Sequence, residues 1–231
     1  LTYIKICGIT NVDDACFAAK AGADLLGFIL TPKSPRYVTV PEAAAIAAAV
    51  RGTFGACAPR IVGVFVDEPI ECVQGILNVA QLDLAQLHGD ESPDDVRRLS
   101  PRAFKAVRPQ DSDQARAAHI AYGDTVPQDD TLPQLLVDAY HPHRHGGTGL
   151  QADLDLACWL ARRVRLLLAG GLTPENVGEI VKRVQPWGVD VSSGVERSKR
   201  IKDNVRVRAF IDAVCSATGT AHRAIGEATE R

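Results

Sequence analysis

The chain has 231 residues, 46% of them hydrophobic and 23% charged, with a formal net charge of -2. That length allows one large domain or two small ones and can bury a sizeable core. The balanced charge gives no electrostatic case for nucleic acid or an anionic membrane as partner, and the longest apolar runs, such as residues 43–50, fall well short of a membrane span.

The six cysteines (Cys7, Cys16, Cys57, Cys72, Cys158 and Cys215) are spread along the chain and include no C-x-x-C pair. This argues against a zinc site and against a disulfide framework. Reduced thiols in a cytoplasmic protein are the expectation, since no basic segment leading into an apolar one opens the chain.

In chain order, the dominant pattern is a short apolar run, a Gly-rich or polar turn, and an amphipathic helix. Tyr3 to Cys7 reads as a first strand, Asn11 as a helix cap, Val12 to Ala21 as a helix and Gly22 as its stop. Asp24 to Leu30 is a second strand. The following Thr31 to Tyr37 stretch carries two prolines that keep it out of helix and sheet. Pro41 opens an alanine-rich helix to Val50. Strands are then expected over Ile61–Val66, Leu82–Leu87, Ala103–Val107, Gln134–Asp138, Arg165–Ala169 and Gly188–Ser192. Helices are expected between them over Pro69–Val79, from the Ser92 cap and Pro93, over Ser112–Ala121, Asp153–Arg162 and Pro174–Val184, and after them over Asp203–Cys215. His141 to Gly149 is expected as a long loop.

Eight strands alternating with helices, with no strand-to-strand hairpin, demand parallel pairing and crossover connections. Residues 1–215 suit a single α/β domain, a closed (β/α)8 TIM barrel, and residues 216–231 a flexible tail. The alternative is a doubly wound open sheet, but no G-x-G-x-x-G follows the first strand.

A barrel of this kind places its active site at the C-terminal strand ends, which selects candidates by position. Cys7 ends the first strand on the same face as Lys5, and a nearby ammonium lowers a thiol's pKa; the plainer reading is a small core residue. Asp138 ends the sixth strand, where aspartate is disfavoured, so it is either a cap or a catalytic carboxylate. Arg36, in the stiff proline loop, suits a carboxylate or phosphate unless it merely forms a surface ion pair. Gly170-Gly171 after the seventh strand and Ser193-Gly194 after the eighth let backbone amides approach a phosphate. Gly146 to Gly149 form a third loop able to fold over a ligand. His88 and Gln86 share a strand face, and His88 reads as a core histidine outside the chemistry. Asp190 sits on the eighth strand without a decided role.

The set KICGIT at 5–10, SPRYV at 34–38, GVFVD at 63–67, QLHGDES at 86–92, LVDA at 136–139, HGGTG at 145–149, LAGGLTPENV at 168–177 and DVSSGVE at 190–196 resembles the phosphoribosylanthranilate isomerase family of tryptophan biosynthesis. The resemblance implies an Amadori rearrangement of N-(5-phosphoribosyl)anthranilate to 1-(2-carboxyphenylamino)-1-deoxyribulose 5-phosphate, with no cofactor or metal. It implies Cys7 as general base, Asp138 as general acid and Arg36 facing the anthranilate carboxylate. Gly147, Gly149 and Asp190 are then expected at the substrate and Gly170, Gly171, Ser193 and Gly194 at its phosphate. Such chemistry needs Asp138 protonated. The expected partner is the small phosphoribosyl substrate alone, bound by a monomer.

The sequence departs from the family pattern at Leu150 to Leu154 and at Lys199-Arg200-Ile201. Two further readings are a histidine-biosynthesis isomerase, which resembles this chain in its phosphate loops but carries aspartate where Cys7 stands, and a non-catalytic phosphate-binding module.

Overall fold

Local chemistry sets the boundaries of the elements. In the computed structural model, which describes residues 2–125, 129–138 and 147–220 and only the backbone of 147–153, Asn11 accepts a hydrogen bond from the Asp14 amide (2.8 Å) and starts α1 (Val12–Ala21). Gly22, at φ 104°, ends it in the left-handed region that glycine tolerates. Thr39 and Glu42 form a reciprocal capping box at the start of α2 (Val40–Phe54), and Ser92 with Asp95 does the same for α4 (Pro93–Leu99). The remaining helices are α3 (Ile70–Val79), α5 (Ser112–Tyr122), α6 (Gly147–Ala161), α7 (Val177–Val184) and α8 (Asn204–Thr218).

The strands β1 (Tyr3–Cys7), β2 (Leu25–Ile29), β3 (Arg60–Phe65), β4 (Leu84–Leu87), β5 (Ala103–Val107), β6 (Leu135–Asp138), β7 (Leu166–Ala169) and β8 (Gly188–Val191) pair in parallel in sequence order, and β8 returns to β1. The sheet is therefore a closed barrel, as the alternation of elements predicts. The β1–β8 register sets Lys5 opposite Asp190.

Alternation along each strand sorts residues between two cores. Ile4, Ile6, Leu26, Phe28, Ile61, Phe65, Val189 and Val191 face the helices. Leu25, Val62, Leu84, Phe104, Leu136 and Leu167 fill the barrel interior, with the stacked Tyr3 and Trp187 rings against them. Two residues further along several strands the inward positions turn polar, at Cys7, Gln86, Asp138 and Asp190. The apolar layers are thus a floor under a polar rim.

Among the departures of the structure from the sequence reading, three stand out. Helix α6 begins at Gly147 rather than Asp153, so Gly147 and Gly149 are backbone of its first turn and not loop. The penalty glycine carries belongs to helix interiors; first-turn amides are outside the hydrogen-bond ladder in any case. Residues 139–146, most of that expected loop, lie outside the described residues, as does the tail after Thr220. Second, α8 continues to Thr218, and Gly219 at φ 65° stops it. Third, a two-stranded antiparallel hairpin, β9 (Glu196–Ser198) and β10 (Ile201–Lys202), follows β8. Its turn is Lys199-Arg200, with Arg200 at φ 75°, and lacks the Asn-Gly or Asp-Gly that signals a hairpin in sequence. Tertiary contacts hold it instead: Arg200 donates to the Pro35 and Tyr37 carbonyls (3.2 and 3.0 Å), and Thr10 donates to the Arg200 carbonyl (2.6 Å).

Phe104 lies fully buried inside the barrel. Phe104→Ala should lower the unfolding free energy by about 3–5 kcal/mol, the usual cost of an emptied aromatic site; urea titration would measure it, and a loss under about 1 kcal/mol would contradict this packing.

Candidate active site

A cavity of about 560 Å³ opens at the C-terminal strand ends, and Cys7, Arg36, His88, Arg108, Asp138 and Asp190 line it together with Gly170, Gly171 and the Ser192 to Gly194 turn. All the candidates selected by strand-end position meet here except the Gly146 to Gly149 loop, of which residue 146 lies outside the described residues and the surroundings of 147–149 are not described.

Cys7 sits on the inner face of β1, opposite Gly27 of β2. A β-carbon on Gly27 would lie 2.7 Å from Cys7 Sγ and 3.0 Å from Lys5 Nζ. The absent side chain is the space that thiol and ammonium share. Lys5 is completely buried and donates to Asp190 Oδ1 at 3.0 Å. Burial pushes the Cys7 thiol above its ordinary value, and Lys5 opposes that by its charge and hydrogen bonding. The sequence expectation that Lys5 lowers the thiol's pKa is right for the pair but not for the sum, because desolvation is the larger effect. Burial likewise raises Asp190 against the pull of Lys5. For Lys5, burial is the largest effect and disfavours the charge, but Asp190 and, once ionised, Cys7 together outweigh it and raise the pKa.

Arg36 reaches the rim from the loop after β2. Glu196, at the start of the hairpin, accepts from both Arg36 Nε (2.7 Å) and Nη2 (2.6 Å). Lys202, across the hairpin, donates to the same carboxylate (3.2 Å) and to the Ser192 carbonyl (3.0 Å). Two cations hold Glu196 ionised below the usual carboxylate range in spite of burial. The edge with which an arginine grips a carboxylate is therefore already filled at Arg36.

The two glycine turns adjoin. Gly170 (φ 96°) and Gly171 (φ 64°) turn the chain after β7, and a β-carbon on Gly194 would fall 1.9 Å from the Leu172 carbonyl oxygen. Glycine at 194 is what lets the turns after β7 and β8 close on each other. Ser192 Oγ is buried there and has no hydrogen-bond partner among the described residues.

Arg108, just after β5, lines the same cavity. It donates from Nε to Asp138 Oδ2 (3.1 Å), and its Nη2 lies 2.8 Å from His88 Nε2. A guanidinium only donates, so His88 Nε2 accepts and the ring proton resides on Nδ1. Nδ1 is 2.9 Å from the Gln86 amide, which must present its oxygen, and Gln86 Oε1 is the buried acceptor that otherwise lacks a donor. Burial, followed by the Arg108 charge, pushes the His88 pKa down to about 4, so the ring is neutral.

Sequence reasoning placed Ser192 in the turn after the eighth strand, missed Arg108, Glu196 and Lys202, and set His88 aside. Of the missed residues only Glu196 carried a signal, lying within the DVSSGVE motif. Among the described residues no cluster of His, Cys, Asp or Glu could hold a metal ion, no helix is long and apolar enough to cross a membrane, and all six cysteines are unpaired.

Because the unfolded His88 titrates near 6.5 and the folded one near 4, stability present above pH 6.5 should be lost as pH falls toward 4. The loss is about 2–3 kcal/mol. His88→Gln should lose that much less than the parent chain between pH 7 and pH 4 in urea titrations; identical losses would contradict a partly buried neutral ring.

Residues 4–213 match the family model described as N-(5'phosphoribosyl)anthranilate (PRA) isomerase. The N-(5'-phosphoribosyl)anthranilate isomerase of Roseiflexus castenholzii is 48% identical over 219 residues, 93% of this chain and 98% of that one. The crystal structure of the phosphoribosylanthranilate isomerase from Thermotoga maritima superimposes with a TM-score of 0.80 at 35% identity, covering 94% of this chain and all of that one. A phosphoribosylanthranilate isomerase solved in complex with reduced 1-(o-carboxyphenylamino)-1-deoxyribulose 5-phosphate gives 0.77 at 33% identity, covering 95% and 100%. Sequence, fold and matched length agree, and the chain belongs to the phosphoribosylanthranilate isomerase family.

Proposed function

We propose that this protein is the phosphoribosylanthranilate isomerase of tryptophan biosynthesis and works by general acid–base catalysis between Cys7 and Asp138. One observation carries the reading: a thiol ending β1 and a carboxylate ending β6 line one cavity with the two glycine turns after β7 and β8.

The substrate's phosphate binds at Gly170, Gly171, Ser193 and Gly194 and acts as a handle that positions the sugar. Asp138 gives a proton to the ring oxygen, and the furanose opens to a Schiff base. Cys7 takes the hydrogen from C2, which the Schiff base has made acidic. The enolamine then ketonises, with C1 gaining a proton and the C2 hydroxyl losing one. Gains at the ring oxygen and C1 match losses at C2 and its hydroxyl, as an isomerisation requires. A thiol whose pKa is raised by burial is a strong base once ionised, and the Lys5 ammonium supplies the counter-charge beneath it. Asp190 serves the site by holding Lys5, and Arg36 presents a fixed positive charge at the cavity wall. Gly147 and Gly149, in the first turn of α6, are read as substrate contacts. The protein is read as a cytoplasmic monomer; among the described residues the most exposed large apolar side chains, Val79, Ile120 and Val205, sit on three different helices.

Freshly made phosphoribosylanthranilate should lose its fluorescence on mixing with the protein. Binding without turnover would instead support a phosphate-binding module, and turnover of a phosphoribosyl aminoimidazole carboxamide alone would support the histidine-pathway reading. Cys7→Ser and Asp138→Asn should each lower kcat by about 10²-fold or more while the chain stays folded; near-normal rates in both would remove the assigned roles. Since burial raises the Cys7 pKa, inactivation by iodoacetamide should speed up about tenfold per pH unit from neutrality through pH 9. A plateau below pH 8 would show a thiol ionised more easily than its surroundings allow.

A further inference from the structure

We infer that Arg200, in the turn of the β9–β10 hairpin, is a positioning residue for the reaction: it clamps the backbone on both sides of Arg36 and so fixes the proline loop that carries Arg36 to the cavity wall. The inference rests on the isomerase reading above and adds to it a residue that does not itself line the cavity.

The backbone of Arg200 has a conformation that suits a different residue. Its φ of 75° lies in the left-handed region, where a side chain is strained and glycine is not. The position falls in the Lys199-Arg200-Ile201 segment, where the sequence departs from the family pattern. The side chain supplies what offsets this strain. Arg200 Nη1 donates to the Pro35 carbonyl at 3.2 Å and to the Tyr37 carbonyl at 3.0 Å. Those two carbonyls bracket Arg36 along the chain.

The same hairpin holds the other end of Arg36. Glu196 of β9 accepts from Arg36 Nε (2.7 Å) and Nη2 (2.6 Å). Backbone and guanidinium are thus tied to one two-stranded unit, the first at Arg200 and the second at Glu196. That unit is tied in turn to the segment after β1. Thr10 donates to the Arg200 carbonyl (2.6 Å), and the Lys202 amide donates to Asp14 Oδ2 (2.9 Å). Arg36 has little room between these ties, since a β-carbon on Gly8, next to Cys7, would fall 2.6 Å from Arg36 Cδ. The arginine stem therefore lies against the turn beside the thiol. Two hydrogen bonds from an exposed arginine are modest in energy. They fall, however, where a small displacement of the backbone is carried directly to the cavity wall, and binding geometry is sensitive to such shifts.

The test uses Arg200→Gly, Arg200→Ala and Arg200→Lys in the full chain. Glycine suits the backbone of the turn and removes only the clamp. Arg200→Gly should therefore keep or raise the urea midpoint of the parent. It should nonetheless raise KM for phosphoribosylanthranilate by about three- to tenfold and leave kcat within about twofold, the signature of lost binding without lost chemistry. Arg200→Ala should raise KM alike and also lower the midpoint, because the strain stays and the clamp goes. Arg200→Lys, which can still donate to a carbonyl, should recover part of the KM. A residue that served the turn alone would show no change of KM in Arg200→Gly, and that result would overturn the inference.

A second measurement needs no turnover. The amides of Ser34, Arg36 and Tyr37 are bonded within their own loop, at 3.0, 3.1 and 3.2 Å. Their hydrogen exchange should speed up by about fivefold or more in Arg200→Gly while the barrel strands exchange as in the parent. A raised KM with unchanged exchange would assign the effect to the lost charge and overturn the clamp. A parent chain that does not turn over phosphoribosylanthranilate would remove the isomerase reading and this inference with it. Turnover by the parent and by Arg200→Gly with the same KM would remove this inference alone.

Discussion

An ammonium group with no exposure to water has to be paired, and in this barrel Lys5 finds its partner across the seam where the last strand meets the first. Lys5 and Asp190 are register partners on β1 and β8 and meet at 3.0 Å. The same pair closes the sheet and sits beneath the thiol of Cys7. Replacing such a pair with apolar residues of similar size is often neutral or favourable for stability. Its place one inward step below Cys7 gives it a chemical use that packing alone would not require. The floor under it is ordinary barrel core, with Leu25, Val62, Leu84, Phe104 and Leu136, and the change from apolar to polar along the strands marks where packing ends and chemistry begins.

Much of the fold is legible in the sequence because its signals are local. A strand that stops on a glycine turn, a Ser-Pro helix start and a glycine stop each rest on contacts within a few residues, and the structure follows them to within a few positions. The alternation of elements then forces parallel pairing, and with it the gathering of Cys7, Asp138 and the glycine turns at one rim. The features that escape are those held by distant residues. The β9–β10 hairpin has no turn sequence of its own and is tied down by Pro35, Tyr37 and Thr10. The start of α6 at Gly147 contradicts the general aversion of glycine to helices, which is weakest at the first turn.

The site divides in the same way. Cys7 and Asp138 stand out because each is an unusual residue at a strand end. Arg108 does not, since an arginine just after Val107 and before a proline reads as surface. What gives it meaning is the approach of Asp138 from β6 and His88 from the end of β4, contacts set by the barrel's closure and separated by 30 and 20 positions along the chain. Glu196 and Lys202 likewise acquire a role only when the hairpin brings them together around Arg36. The partner of a charged side chain, rather than the side chain itself, is what one-dimensional reading lacks here.

The cluster of Arg36, Glu196 and Lys202 has an electrostatic consequence. Two cations share one carboxylate, so the group as a whole carries a unit of positive charge, and Lys202 directs part of it onto the Ser192 carbonyl, one residue ahead of the turn that holds Ser193 and Gly194. An anion settling on the backbone of that turn meets a field rooted in paired, largely buried groups and not in the tips of surface lysines. Such a field is already oriented before the ligand arrives and is only weakly damped by dissolved ions. The rim is in that sense charged from beneath, much as an electrode is held at a potential by what lies behind its face.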